Sequence, residues 1–122
     1  MRLTFLGKST QGGGSPTLYL TDRDTYVVQG WSVTGESSDV LEIPESLLRF
    51  LEPGTRLGAS LTSTGRRWRG DGGEWPTYTL AGNPVTDPGA IAQMAIPDHE
   101  GCVEVDRVWK DDGATAPRPG VR

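Results

Sequence analysis

Few residues in this chain carry reactive chemistry: one histidine, His99, one cysteine, Cys102, and the carboxylate pair Asp22 and Asp24. To these add Lys8-Ser9-Thr10 beside the glycines at 12–14, and the run Arg66-Arg67-Trp68-Arg69. His99 stands between Asp98 and Glu100 and three positions before Cys102. Imidazole and thiolate both bind metals, and a thiolate paired with imidazole is a nucleophile. A metal site would need further nitrogen or sulfur ligands, which the chain lacks. A nucleophilic pair would need an orienting group and an oxyanion hole that no motif supplies. Both residues are expected to be structural, with no metal and no cofactor.

Lys8-Ser9-Thr10 and the three glycines invite comparison with a phosphate-binding loop. That chemistry places the glycines before the lysine, so that loop amides and a helix N-terminus cradle the phosphates. Here the order is reversed and a strand pattern follows, which points to a plain loop. Asp22 and Asp24 could do acid–base work, but Asp also favours turns because its side chain bonds nearby amides. Flanking Arg23 between two strand-like segments, they read as turn residues. No other pair of acidic residues has a spacing that specifies a hydrolytic or metal site.

Arg66, Arg67 and Arg69 around Trp68, with Trp75 close behind, form the sharpest surface feature. Arginine and tryptophan are enriched at protein interfaces, and the same pair can contact phosphates and stack on a base. The chain carries 12 basic against 16 acidic residues, a net charge of −4. Non-specific nucleic-acid binders draw their affinity from phosphate neutralisation by Lys and Arg, so this balance favours a protein contact.

The elements that must position these residues are short. The chain has 122 residues, of which 17 are Gly and 9 Pro, so long helices have little room and short strands joined by tight turns fit better. Residues 2–7, 17–21, 25–33, 39–43, 56–63, 77–85 and 102–108 read as strands or extended edges, the second and third forming a hairpin. Leu18, Leu20, Tyr26 and Val28 should fill its pleat faces, with Trp31 partly buried. Pro44–Leu51 and Gly89–Met94 read as short helices opened by proline. Thr64–Pro76 has no apolar period and is expected to be a long surface loop.

The expected fold is mainly β, a small barrel or sandwich of about six strands with two short helices. Residues 1–110 should form one β-rich domain, and 111–122, with nothing to bury, a flexible tail. One cysteine precludes an intrachain disulfide. The first residues lack the apolar stretch of a signal peptide, and no run approaches the roughly 20 apolar residues of a membrane span. The expected location is cytoplasmic.

Several stretches carry a family resemblance: Gly14-Ser15-Pro16-Thr17-Leu18-Tyr19, Thr21 through Trp31, Leu51-Glu52-Pro53-Gly54-Thr55, Gly82 through Pro88, and Ile96-Pro97-Asp98-His99-Glu100. Together they resemble a family of small uncharacterised actinobacterial proteins, often encoded near helix-turn-helix regulators, across most of residues 1–106. The resemblance implies a regulatory or accessory role and supplies no catalytic residue. Against that pattern, residues 66–76 look like an insertion.

Two functions follow as expectations. The first is a non-catalytic protein-interaction module that offers Tyr19, Trp31, Arg66, Arg67, Trp68, Arg69 and Trp75 to a protein partner, either a transcriptional regulator or a second copy of the chain. The second is a small-molecule or nucleotide-binding β-barrel, an enzyme in one version, with a pocket lined by Trp31, Tyr19 and the glycine loop. Direct DNA binding through the arginine segment ranks behind both.

Overall fold

The structure, a computed structural model, describes residues 1–9, 16–33, 38–70, 72–94, 96 and 99–110. The expected glycine loop at 12–14, most of the loop at 35–38 and the expected tail at 111–122 lie outside the described residues. The chain is mainly β. Among the described residues nine strands run in order: β1 (Leu3–Lys8), β2 (Thr17–Thr21), β3 (Thr25–Ser32), β4 (Val40–Pro44), β5 (Thr55–Gly58), β6 (Thr62–Gly70), β7 (Gly73–Ala81), β8 (Asn83–Pro84) and β9 (Glu100–Trp109). A 3-10 helix, Glu45–Phe50, follows β4, and α1, Pro88–Ile91, lies between β8 and β9. No helix of the described residues is long and apolar enough to cross a membrane.

All pairings are antiparallel, and β3 is the hub. It pairs with β2 through Thr17↔Gln29 to Leu20↔Tyr26, then with β4 at Trp31↔Glu42 and Ser32↔Leu41. It also pairs with β9 along its length, from Thr25↔Asp106 to Trp31↔Glu100. One path runs β1-β2-β3-β4-β7-β6, while β5 and β8 join β9. The sheet does not close, so the architecture is sandwich-like and the barrel expectation is corrected. Closure would require the two ends of that path, β1 and β6, to pair with each other, and they do not.

Pleat alternation explains the two apolar clusters. Leu18, Tyr26, Val28, Leu41, Ile43, Leu80, Val103 and Val105 share one face and, with Leu47 of the 3-10 helix and Leu57 of β5, make the main core. Burying each large side chain contributes roughly 1.5–3 kcal/mol. Tyr26 is fully buried and keeps its polar atom satisfied. Its hydroxyl accepts from the Glu52 amide at 2.9 Å and lies 2.6 Å from Thr55 Oγ1, which itself donates to the Glu52 carbonyl at 2.7 Å. The tyrosine is therefore the donor to Thr55. The other face carries a smaller cluster of Tyr19, Val27 and Cys102, with Leu3, Val85, Met94 and Ile96 packed on it.

The structure has more strands than the six expected, for three local reasons. Residues 64–76 are not a loop: β6 and β7 form a long hairpin with Trp68↔Trp75 and Arg69↔Glu74 in register. The Arg69–Glu74 ion pair and the bonds from Trp75 Nε1 to the Gly70 carbonyl and from Thr64 Oγ1 to Thr77 Oγ1 hold it, so it needs no apolar period. Gly65, at φ +79°, sits where the register shifts between Ser63 and Arg67. The expected 56–63 strand changes partners: Leu57 belongs to β5 against β9, while Leu61 is exposed just before β6. The expected 77–85 strand breaks at Gly82 as the chain leaves β4 for β9. A Cβ there would sit 2.7 Å from Val105 Cγ1 and 2.9 Å from the Glu104 carbonyl, so only glycine fits.

The 22–24 turn fulfils the structural reading. Asp24 takes φ +64°, a conformation Asp tolerates better than most residues, and its carboxylate pairs with Arg107. Arg23 grips Glu104 with two bonds, Nε at 2.9 Å and Nη2 at 2.7 Å, tying the turn to β9. That grip, ahead of the opposing effect of burial, holds the Glu104 carboxyl below its ordinary range.

Candidate functional site

Trp31 occupies an unusual place in the sheet. It has a register partner on both sides: Glu42 of β4 and Glu100 of β9. Directly opposed residues project from the same face, with Cβ atoms about 4.5–5.5 Å apart. One indole therefore stands between two carboxylates. Along β4 and β7, Glu42 pairs with Thr79, so Trp75, Thr77 and Thr79 share this face by alternation.

Trp68 reaches the same place from β6. Its ring centroid lies 5.7 Å from that of Trp31, with the planes tilted by 51°. Aromatic pairs at this separation contribute roughly 0.5–1.5 kcal/mol beyond area burial. The tip of the β6–β7 hairpin is shaped to orient Trp68. A Cβ on Gly70 would fall 2.2 Å from Trp68 Cη2, so the indole lies flat against bare backbone, and the Gly70 carbonyl accepts from Trp75 Nε1 at 2.9 Å. Gly70→Ala should push Trp68 away from Trp31 while leaving the sheet intact. Near-ultraviolet circular dichroism should lose the signal of the coupled indoles while the far-ultraviolet spectrum stays unchanged.

The three arginines differ in their ties. Arg66 Nη2 donates to Glu42 Oε1 at 2.7 Å, and Thr77 Oγ1 donates to Glu42 Oε2 at 2.6 Å, so both oxygens of Glu42 are occupied. Arg67 and Arg69 both reach Glu74, Arg67 at 3.6 Å and Arg69 at 3.1 Å. All three stay open to solvent, with side-chain exposures of 61%, 57% and 83%. Exposed pairs of this kind contribute about 0–1 kcal/mol each, so they leave the guanidinium groups available to other partners.

Glu100 is different, and reading the sequence did not single it out. Its side chain is fully buried. Oε1 accepts from Gln29 Nε2 at 2.8 Å, while Oε2 has no hydrogen-bond partner among the described residues. Burial pushes the carboxyl above its ordinary range, against the smaller opposing effects of Gln29 and His99. His99 Nε2 lies 3.7 Å from Oε2, and its ring is largely in solvent. The one available signal was the alternation Glu100, Cys102, Glu104 against Val103 and Val105, which sets a carboxylate on a covered face.

Of the seven residues expected to bind a partner, the structure brings Trp31, Trp68, Trp75 and Arg66 to one face, while Arg67 and Arg69, opposite Pro76 and Glu74, project from the other face of the β6–β7 hairpin. Tyr19 is not among them. It is buried beside Val27 and Cys102, touches the exposed Phe5 edge to face at 6.2 Å, and lies two same-face positions along the sheet from Trp31. The sheet is open, so it has no barrel mouth, and the glycine loop of the second expectation lies outside the described residues. Cys102 is buried in the small cluster, which raises its thiol pKa and keeps it a poor nucleophile. No group of three or more His, Cys, Asp or Glu is gathered for a metal among the described residues. A separate groove of about 370 Å³ runs between Val33, Val40, Ser60, Thr62 and Thr79. No family model, curated protein or solved structure matches the chain, so the site is read from its own geometry.

Proposed function

We propose that the chain is a non-catalytic regulatory or accessory protein-interaction module of the cytoplasm, contacting its partner through the face built by Trp31, Trp68 and Trp75 with Arg66 beside them, and with Arg67 and Arg69 on the reverse of the same hairpin. One observation carries the reading: two tryptophans from different hairpins, each only partly buried, meet on a sheet face that also carries the solvent-exposed Arg66. Aromatic and arginine anchors of this kind dominate binding energy at protein interfaces. The resemblance to the actinobacterial family makes a transcriptional regulator, or a second copy of the chain, the partner to try first.

Affinity capture with the wild-type chain and with Trp68→Ala tests this. A central tryptophan is worth about 2–4 kcal/mol on truncation, so the variant should lose at least about 30-fold of the retained partner. Far-ultraviolet circular dichroism should show the variant still folded, since Trp68 sits on an outlying hairpin. Equal retention by both proteins, or none by either, refutes the proposal.

The groove by Val33, Val40 and Thr79 favours a second reading, a small-molecule or nucleotide site. Thermal-shift screening against nucleotides decides it. A ligand at about 100 times its dissociation constant adds about 2.7 kcal/mol of stability, and a flat panel removes this reading.

A further inference from the structure

The two carboxylates flanking Trp31 are matched in position and unlike in company. Glu42 has a guanidinium on one oxygen and a hydroxyl donor on the other. Glu100 has an amide donor on one oxygen and, among the described residues, no hydrogen-bond donor on the other, although its side chain is wholly buried. Arg66 shows what this row of the sheet does with a cation: it holds the group against a carboxylate beside an indole. The Glu100 side has the same carboxylate and the same indole. Its nearest cationic candidate, His99, lies beyond hydrogen-bond distance and points its ring mostly into solvent. A buried carboxylate with an unused oxygen is costly until a donor reaches it. A carboxylate beside a tryptophan face is a strong site for a protonated nitrogen.

We propose that Glu100, with Trp31 and Trp68, forms a socket for a cationic side chain, arginine or lysine, supplied by the protein partner. The inference rests on reading this face as an interaction surface, and it names the partner's chemistry: a basic segment. The chain's charge of −4 draws such a segment in. The incoming nitrogen bonds Glu100 Oε2, as Arg66 bonds Glu42 on the other side, and lies against the Trp31 indole. His99, in the turn that opens β9, moves aside to admit it. Trp68, already seated on Trp31, walls the socket.

Titration calorimetry with an acetylated, amidated hexa-arginine peptide tests the socket, with hexaglutamate as the opposite-charge probe. The wild-type chain should bind hexa-arginine saturably and hexaglutamate not at all. Glu100→Gln keeps the shape and the Gln29 contact but removes the charge, and should weaken hexa-arginine by at least about tenfold. Asp106→Asn removes equal charge from an exposed site on the same strand and should change affinity by less than about twofold. Equal losses in the two variants would mean diffuse attraction, and the socket fails. It fails also if Glu100→Gln binds like wild type, or if the wild-type chain does not bind hexa-arginine. The Trp68→Ala capture is read separately. A partner lost there without hexa-arginine binding leaves the interaction surface standing and removes only the socket.

Discussion

Tyr26→Ala should cost the protein roughly 4–5 kcal/mol, enough to unfold much of a typical domain population at 37 °C. The side chain is fully buried at the centre of the main cluster, and the alanine cavity has Leu18, Val28, Val103 and Val105 around it. The substitution also strips the Glu52 amide and the Thr55 hydroxyl of their shared partner. Tyr26→Phe isolates that second contribution. It keeps the ring, removes the acceptor of the Glu52 amide and the donor to Thr55 Oγ1, and should cost about 1–3 kcal/mol. Urea titrations of the two variants separate packing from hydrogen bonding. A Tyr26→Phe chain as stable as wild type would show that the hydroxyl ring linking β3 to the start of β5 holds nothing together.

The second large effect runs in the opposite direction. Glu100→Gln is expected to raise stability at neutral pH by about 1 kcal/mol or more, because it removes a buried charge that has no cation of its own. The pH dependence follows from the direction of the shift. Burial raises the Glu100 carboxyl above its unfolded value. Its contribution is therefore present in full in acid, below the unfolded value, and is lost as pH rises through the folded one. Glu104 behaves oppositely. Held low by Arg23, it contributes above its unfolded value and loses that contribution as pH falls through the folded one. The wild-type chain should therefore be squeezed from both sides, and Glu100→Gln should relieve only the upper limb. Melting curves from about pH 4 to pH 8 measure this. A glutamine variant less stable than wild type across that range would mean the carboxylate is stabilising where it sits. The same substitution that strengthens the fold is the one expected to weaken hexa-arginine binding, the trade-off common where function keeps a destabilised group.

What could be read from the sequence follows from how each segment is held. The β2–β3 hairpin was legible because Leu18, Tyr26 and Val28 obey a strict period of two around an Asp-rich turn. The strand at 102–108 was legible for the same reason, through Val103 and Val105. The β6–β7 hairpin was not, because the contacts that hold it lie across the ladder: Trp75 on the Gly70 carbonyl, Arg69 on Glu74, Thr64 on Thr77. Those pairs have no signature along the chain. The arginine–tryptophan cluster was visible as composition, but its union with Trp31 depends on a hairpin folding over a distant strand. Glu100 was passed over beside His99 and Cys102, since its burial depends on the register between β3 and β9. A shift of one residue there would have put it on the other face.

The placement of β9 has a consequence for how the protein is made. Of the nine described strands this one emerges last, yet it lies against β3, β5 and β8, and its Glu100 meets Gln29, 71 positions earlier. Until it emerges, β3, β5 and β8 are without their common neighbour, and Val28 and Leu57 lack the wall that Val103 and Val105 provide. Such long-range closure is slow and leaves apolar strands uncovered in the meantime. Folding should therefore wait until β9 has emerged. A stalled chain ending before residue 100 should be protease-sensitive throughout, where one extending past residue 110 resists.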